Sequence, residues 1–154
     1  MIGRREFAVA GLSAVALAAI EGRTSAADKP HGDHSAANKM FRECAEACSD
    51  CQRECDACSS HCARHVSMGH KDHMTTLMTC QDCANFCAAA AQIVSRGGPF
   101  ADLICNACAE ACARCGKECE KFPDDDTMKQ CAEECRKCEK ACRNMTKDAK
   151  HGTK

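Results

Sequence analysis

Cysteines spaced alternately by three and four residues run through most of this chain, and that spacing leaves few folds open. One segment carries Cys44, Cys48, Cys51, Cys55, Cys58 and Cys62, and a second Cys80, Cys83 and Cys87. A third carries Cys105, Cys108, Cys112, Cys115 and Cys119, and a fourth Cys131, Cys135, Cys138 and Cys142. Steps of three and four average 3.5, the period of the seam on which bundle helices meet. The thiols therefore stand where Leu and Ile ordinarily sit. The segments also repeat one another. Cys44-Ala-Glu-Ala-Cys48-x-x-Cys51-x-x-Glu-Cys55 recurs from Cys108 to Cys119 and, slightly altered, from Cys131 to Cys142, while the second segment keeps the later half. One helical unit used four times predicts an all-α fold, an antiparallel up-down-up-down four-helix bundle with a cysteine-lined core.

Punctuation between the units falls at Gly69-His70, Gly97-Gly98-Pro99 and Phe122-Pro123-Asp124. It predicts helices over 36–67, 71–96, 100–121 and 125–147, with Ser35 and Asp124 as N-caps and Pro99 in the first turn of the third. The bundle is one domain, 36–147, followed by a disordered tail at 148–154. Beyond residue 27 the large apolar residues other than Met are Phe41, Val66, Leu77, Phe86, Ile93, Val94, Phe100, Leu103, Ile104 and Phe122, too few to fill the interior of such a domain. Eighteen Cys and many Ala must line it instead. With a net charge of −1 and neither Trp nor Tyr, the chain has no stripe for phosphates and no platform for bases, which excludes nucleic acid as a partner.

Residues 1–27 read as a signal peptide: Arg4-Arg5, an apolar run from Phe7 to Ile20, and a small-residue cleavage site near Ala26 or Ala27. The Arg4-Arg5 start resembles a twin-arginine export signal, so the expectation is an exported, periplasmic or otherwise extracytoplasmic protein that leaves the membrane once the signal is removed. Residues 28–35, with Pro30 and Gly32, form a flexible segment.

Several chemistries compete for the thiols. A disulfide framework needs Cα atoms within about 7 Å and suitably aimed Cβ atoms, whereas facing helices stand roughly 8–10 Å apart. Structural zinc pairs two Cys knuckles into one tetrahedral site, whereas these stripes run unbroken. About seven Zn2+ among 18 bridging thiolates would also leave a buried charge of order −4. The ferredoxin run ending in Cys-Pro is absent. A thiol redox protein would need Cys-x2-Cys in a strand-then-helix context, and no nucleophile with its base is evident, so no catalytic residue is assigned. Cu(I) accepts two soft thiolates. If each thiolate bridges two coppers, the ratio is one to one, the charges cancel, and capacity is on the order of 15–20 Cu(I) per chain. A general zinc or cadmium scavenger and a thiol redox protein are the rival readings.

On these stripes the chain resembles the bacterial copper storage proteins, over roughly residues 36–147. The resemblance implies a four-helix bundle that holds many Cu(I) ions, mostly through Cys pairs including Cys-x3-Cys, and tetramers in some members. Exported and cytosolic members both occur, and the number of Cys here is that of the cytosolic type. Copper ions are then the main partner, with copper donor or acceptor proteins and further copies of the chain besides.

Extending the stripes past their last Cys reaches His65, His73 and Met128, which share one end of such a bundle with Met68, His70 and Met74. That end is the expected copper entrance, where weaker ligands hand ions inward. The other end, with Met40, Met145, Val94, Leu103 and Ile104, is expected to be plugged, Met40 and Met145 being accessory ligands there. His61, beside Cys62 and off the stripe, is read as a surface residue.

Overall fold

The computed structural model describes the backbone of residues 35–151 and the side chains of 38–147. The expected signal peptide, residues 28–34 and the end of the tail lie outside the described residues. Four helices follow in order: α1 (Ser35–Ser67), α2 (His73–Ser95), α3 (Ala101–Cys119) and α4 (Asp126–His151). α1 thus takes in Ser35, and α4 runs to His151, into the stretch expected as tail.

Local chemistry sets the breaks. Gly69 (φ 97°) and Gly97 (φ 58°) adopt the left-handed conformation that glycine tolerates best. Each closes a Schellman motif: Gly69 N–H donates to Val66 O and His70 N–H to His65 O, while Gly97 N–H donates to Val94 O and Gly98 N–H to Ile93 O. The cap of α4 is Asp125 rather than Asp124, because Asp125 Oδ1 accepts from the Met128 N–H at 3.1 Å. Pro99 lies in the turn before α3, which starts at Ala101 after Phe100.

Each helix packs on its chain neighbours, and α4 closes the square against α1. Sulfur contacts reveal the directions. Cys44, Cys51 and Cys58 of α1 meet Cys105, Cys112 and Cys119 of α3 at 3.8, 3.8 and 4.0 Å, so α1 and α3 run parallel across the diagonal. Cys48, Cys51 and Cys55 meet Cys142, Cys135 and Cys131 at 3.6, 3.8 and 3.9 Å, so α4 runs the other way. This is the up-down-up-down bundle. The thiols, not long aliphatic side chains, span its diagonals.

Alanines fill the seams between sulfurs, among them Ala45, Ala84, Ala109 and Ala132, all buried. One end is closed by Val94, Ala90, Ala101 and Met145. Leu103, expected in that plug, is instead 66% exposed, because its place on α3 is two residues from Cys105 and so turned away from the seam. Between α3 and α4 the approach is tight at Gly116: a methyl group there would meet Arg136 Cζ at 3.2 Å and Cys135 Cβ at 3.3 Å. Arg136 crosses over this glycine to Glu120 Oε1 (2.7 Å) and the Ala113 carbonyl (3.2 Å). Gly116→Val should therefore destabilise the metal-free protein by about 1–3 kcal/mol through overpacking. A urea midpoint equal to that of the wild type would show that the α3–α4 contact is looser than this.

Candidate metal centre

All 18 cysteines are free, and the most exposed of them, Cys44, shows only 2% of its surface. Their helical spacing brings them to the bundle axis, and the opposed helix directions then stack them in groups. Four thiols all within 4.8 Å of one another occur at Cys48/Cys108/Cys138/Cys142, Cys51/Cys83/Cys87/Cys112, Cys51/Cys55/Cys83/Cys135, Cys55/Cys115/Cys131/Cys135 and Cys58/Cys80/Cys119/Cys131. The last four of these groups share members in turn, and Cys108 of the first lies 3.7 Å from Cys87, so the sulfur forms a continuous column. Cys44 and Cys105, 3.8 Å apart, extend it toward the plug, and Cys62 lies buried beyond Cys58 at the other end.

Sulfur atoms this close perturb one another. Hydrogen bonding from Cys115, helped by Cys58 and Cys80, lowers the Cys119 thiol to about 6 against the opposing effect of burial. Hydrogen bonding with Cys108 and other neighbours, together with burial, holds Cys112 well above the ordinary thiol range. Thiols and thiolates must share protons along the column, since many bare thiolates cannot coexist there. Among the described residues the buried polar or charged ones are Ser59, His73, Thr76 and Thr146, with no Lys or Arg among them. No side chain in the described core cancels a sulfur charge. Only cations entering from outside can do so.

At the α1–α2 end, Met128 is buried, and its Sδ lies 3.4 Å from Cys58 Sγ, in line with the column. Four imidazoles gather above it. His65 lies 4.5 Å from His61, 4.4 Å from His73 and 5.4 Å from His70, between ring centroids. The Schellman turn at Gly69 brings His70 back over His65. His73 stacks on Phe122 at 4.2 Å, and burial lowers its pKa, with His65 adding to the effect. Met68 and Met74 are 63% and 43% exposed, outside this group. At the closed end Met145 is buried and Met40 partly so.

His61 is the residue that sequence reasoning misplaced. It is only 18% exposed, and its Nε2 lies 2.7 Å from Asp125 Oδ2. The spacing His61-x3-His65 was the available signal, since it puts both rings on one helical face. Its partner was not visible locally: Asp125 arrives from the start of α4. Burial would raise the Asp125 carboxyl, but the Met128 N–H and His61 outweigh it, and the pKa is lowered.

A family model described as copper storage protein matches residues 33–147. The chain belongs to the copper storage protein family. A cytosolic copper storage protein from Streptomyces lividans, solved with five coppers, superposes with a TM-score of 0.67 at 30% identity, covering 73% of this chain and 96% of that one. The Cu(I)-bound copper storage protein BsCsp3 gives 0.63 at 33% identity, covering 70% and 98%. An uncharacterized cysteine-rich protein of Bacillus subtilis (strain 168) is 36% identical over 83 residues, 53% of this chain and 74% of its own length.

These relatives correct the expectation of an exported, periplasmic protein. The Streptomyces lividans copper storage proteins it matches include a cytosolic one. Arg4-Arg5 and the apolar run after it fall outside the described residues and do not outweigh this.

Asp125 ties the histidine cluster to the cap of α4, so Asp125→Ala should cost the metal-free protein about 0.5–2 kcal/mol near neutral pH. A carboxyl with a depressed folded pKa contributes above its unfolded value and loses that contribution as pH falls through the folded one. The gap between wild type and variant should then close in acid. Urea unfolding across that range checks it, and a gap independent of pH would remove the carboxylate from the explanation.

Proposed function

We propose that the chain stores Cu(I) along its sulfur column, with all 18 cysteines as ligands and a capacity on the order of 15–20 ions. The observation that carries this is the stack of buried, unbridged thiols with no internal cation beside them. Each four-thiol group would also accept tetrahedral Zn2+ by geometry. Ligand softness decides between the metals. A lining made of sulfur throughout favours soft Cu(I), and one Cu(I) per bridging thiolate leaves the interior neutral. The relative solved with five coppers and the Cu(I)-bound BsCsp3 support the same choice.

Copper enters at the α1–α2 end, past His65 and His73 to the Met128 thioether and then to Cys58. Imidazole and thioether ligands hold Cu(I) less firmly than bridging thiolates, so affinity rises inward. Met68, Met74, Met40 and Met145 are secondary at most, the first two by exposure and the others by their place at the closed end. Storage needs no catalytic residue.

Anaerobic Cu(I) titration of the reduced protein should saturate near one equivalent per Cys, with a large rise in thermal stability because binding adds to folding free energy. His65→Ala with His73→Ala should slow loading while leaving capacity intact. Saturation at one or two equivalents would favour a redox protein instead, and Zn2+ or Cd2+ displacing Cu(I) would favour a general scavenger.

Self-association is the second part of the proposal. Apart from His73, α2 carries one charged residue, Asp82, between His73 and Ser95. Its outer side exposes Met74, Met78 and Phe86. A helix this poor in charge on its open side is suited to burial against another copy. Met78→Glu with Phe86→Glu should convert the assembly to monomer in sedimentation. A wild-type chain that already sediments as a monomer would defeat this part.

A further inference from the structure

We infer that the groove between α1 and α4, beside the closed end, is a docking site for a small thiol bearing carboxylates, which exchanges Cu(I) with Met40 and Cys44 under the charge of Lys140. The inference rests on the storage reading for its cargo, whereas the groove itself can be tested without copper.

Two helical faces make the groove. Met40, Glu43 and Cys44 share one face of α1, and Lys137, Lys140, Ala141 and Asn144 share one face of α4, each set at steps of three and four. Between them lies a groove of about 260 Å3. Val94 and Met145 plug this end of the bundle along its axis, so the groove is a way in from the side. Its volume is below the roughly 300–1,000 Å3 of pockets for drug-sized ligands, which suits a small molecule rather than a protein segment.

Cys44 lies at the wall of this groove and is also the last rung of the sulfur column. Its Sγ lies 3.8 Å from Cys105 Sγ and 3.9 Å from Cys142 Sγ, and Cys142 is 3.6 Å from Cys48 in the first four-thiol group. An ion at Cys44 is therefore one ligand exchange from the column. Met40, a turn earlier and only partly buried, adds a thioether on the same face. Both are soft ligands of the kind that Cu(I) selects.

The rim sets the charge of the visitor. Glu43 faces Lys39 at 3.7 Å and Lys137 holds Glu134 at 2.6 Å, whereas Lys140 has no ion-pair partner among the described residues. Its ammonium and the Asn144 amide are donors suited to a carboxylate. Two other grooves reach a cysteine, and neither offers a second soft ligand. At Cys83, Arg114 is paired with Glu110, which leaves Asp82 to repel an anion. At Cys119, Arg136 is taken by Glu120 and Glu139.

The exchange is a ligand substitution. The incoming thiol forms a sulfur–copper bond, the bond from copper to Cys44 Sγ breaks, and the proton shed by the thiol passes to the Cys44 sulfur. Copper stays Cu(I), so no oxidant or reductant takes part.

Alkylation tests the groove in reduced, copper-free, full-length protein, with anionic iodoacetate and neutral iodoacetamide as probes. Both attack the same thiolate, so the ratio of their rates at one cysteine cancels its thiolate fraction. Peptide mapping should find Cys44 labelled ahead of Cys105, its neighbour off the groove. The acetate-to-amide ratio at Cys44 should fall by about threefold or more in Lys140→Glu, an exposed position where the fold is not at risk. Equal labelling of Cys44 and Cys105 would mean that the bundle end frays, and that result, or a ratio unmoved by Lys140→Glu, would overturn the inference. Copper is then followed by isotope: protein saturated with one stable isotope of Cu(I) is mixed anaerobically with the glutathione complex of the other. Exchange should slow by about threefold or more in Lys140→Glu and in Met40→Leu, with the Cu(I) capacity of Lys140→Glu unchanged. Exchange indifferent to both substitutions would overturn the site. A wild-type chain that fails to load would overturn storage and the cargo assigned here, while the alkylation result would still decide the groove.

Discussion

Buried charge governs this molecule. Eighteen thiols share one interior, and the fully buried set includes no lysine or arginine to balance them. Without metal, protons keep most of that sulfur neutral, and thiols settle into networks such as the one that lowers Cys119 and raises Cys112. Replacing the protons by a monovalent soft cation preserves neutrality and adds bonds. A divalent cation replaces two protons at a time, so neutrality is kept with half as many ions stored.

The same constraint accounts for the rest of the architecture. Cysteine is small, and alanine smaller, so a core made from them is thin in aliphatic surface. Apolar residues collect at the closed end, around Val94 and Met145. The surface is laced with ion pairs, including Arg136 with Glu120 and Glu139, and Arg143 with Glu139. Exposed pairs of this kind contribute at most about 1 kcal/mol each. Metal binding is therefore well placed to be the dominant source of rigidity, with the helices holding sulfur in register and the metal holding the helices together.

The two ends differ in chemistry as much as in shape. Sulfur gives way to hydrocarbon at one end. At the other it gives way to thioether and then to imidazole, an ordering from soft to borderline ligands along a single axis. Asp125 links these last layers, with one oxygen on the Met128 backbone and the other on His61.

Helical spacing alone determined the fold class, the inward face of each helix and the candidacy of every cysteine, because a 3.5-residue period is a property of one helix and needs no partner. His65, His73 and Met128 were readable for the same reason, lying on extensions of the stripes. Tertiary structure decided what depends on two or more elements. Which thiols share a group follows from the helix directions and the lengths of the turns. His61 became part of a cluster because Asp125 reaches it from α4, across 64 residues of chain. Periodicity records which way a residue faces, but only packing brings residues from separate helices within bonding distance.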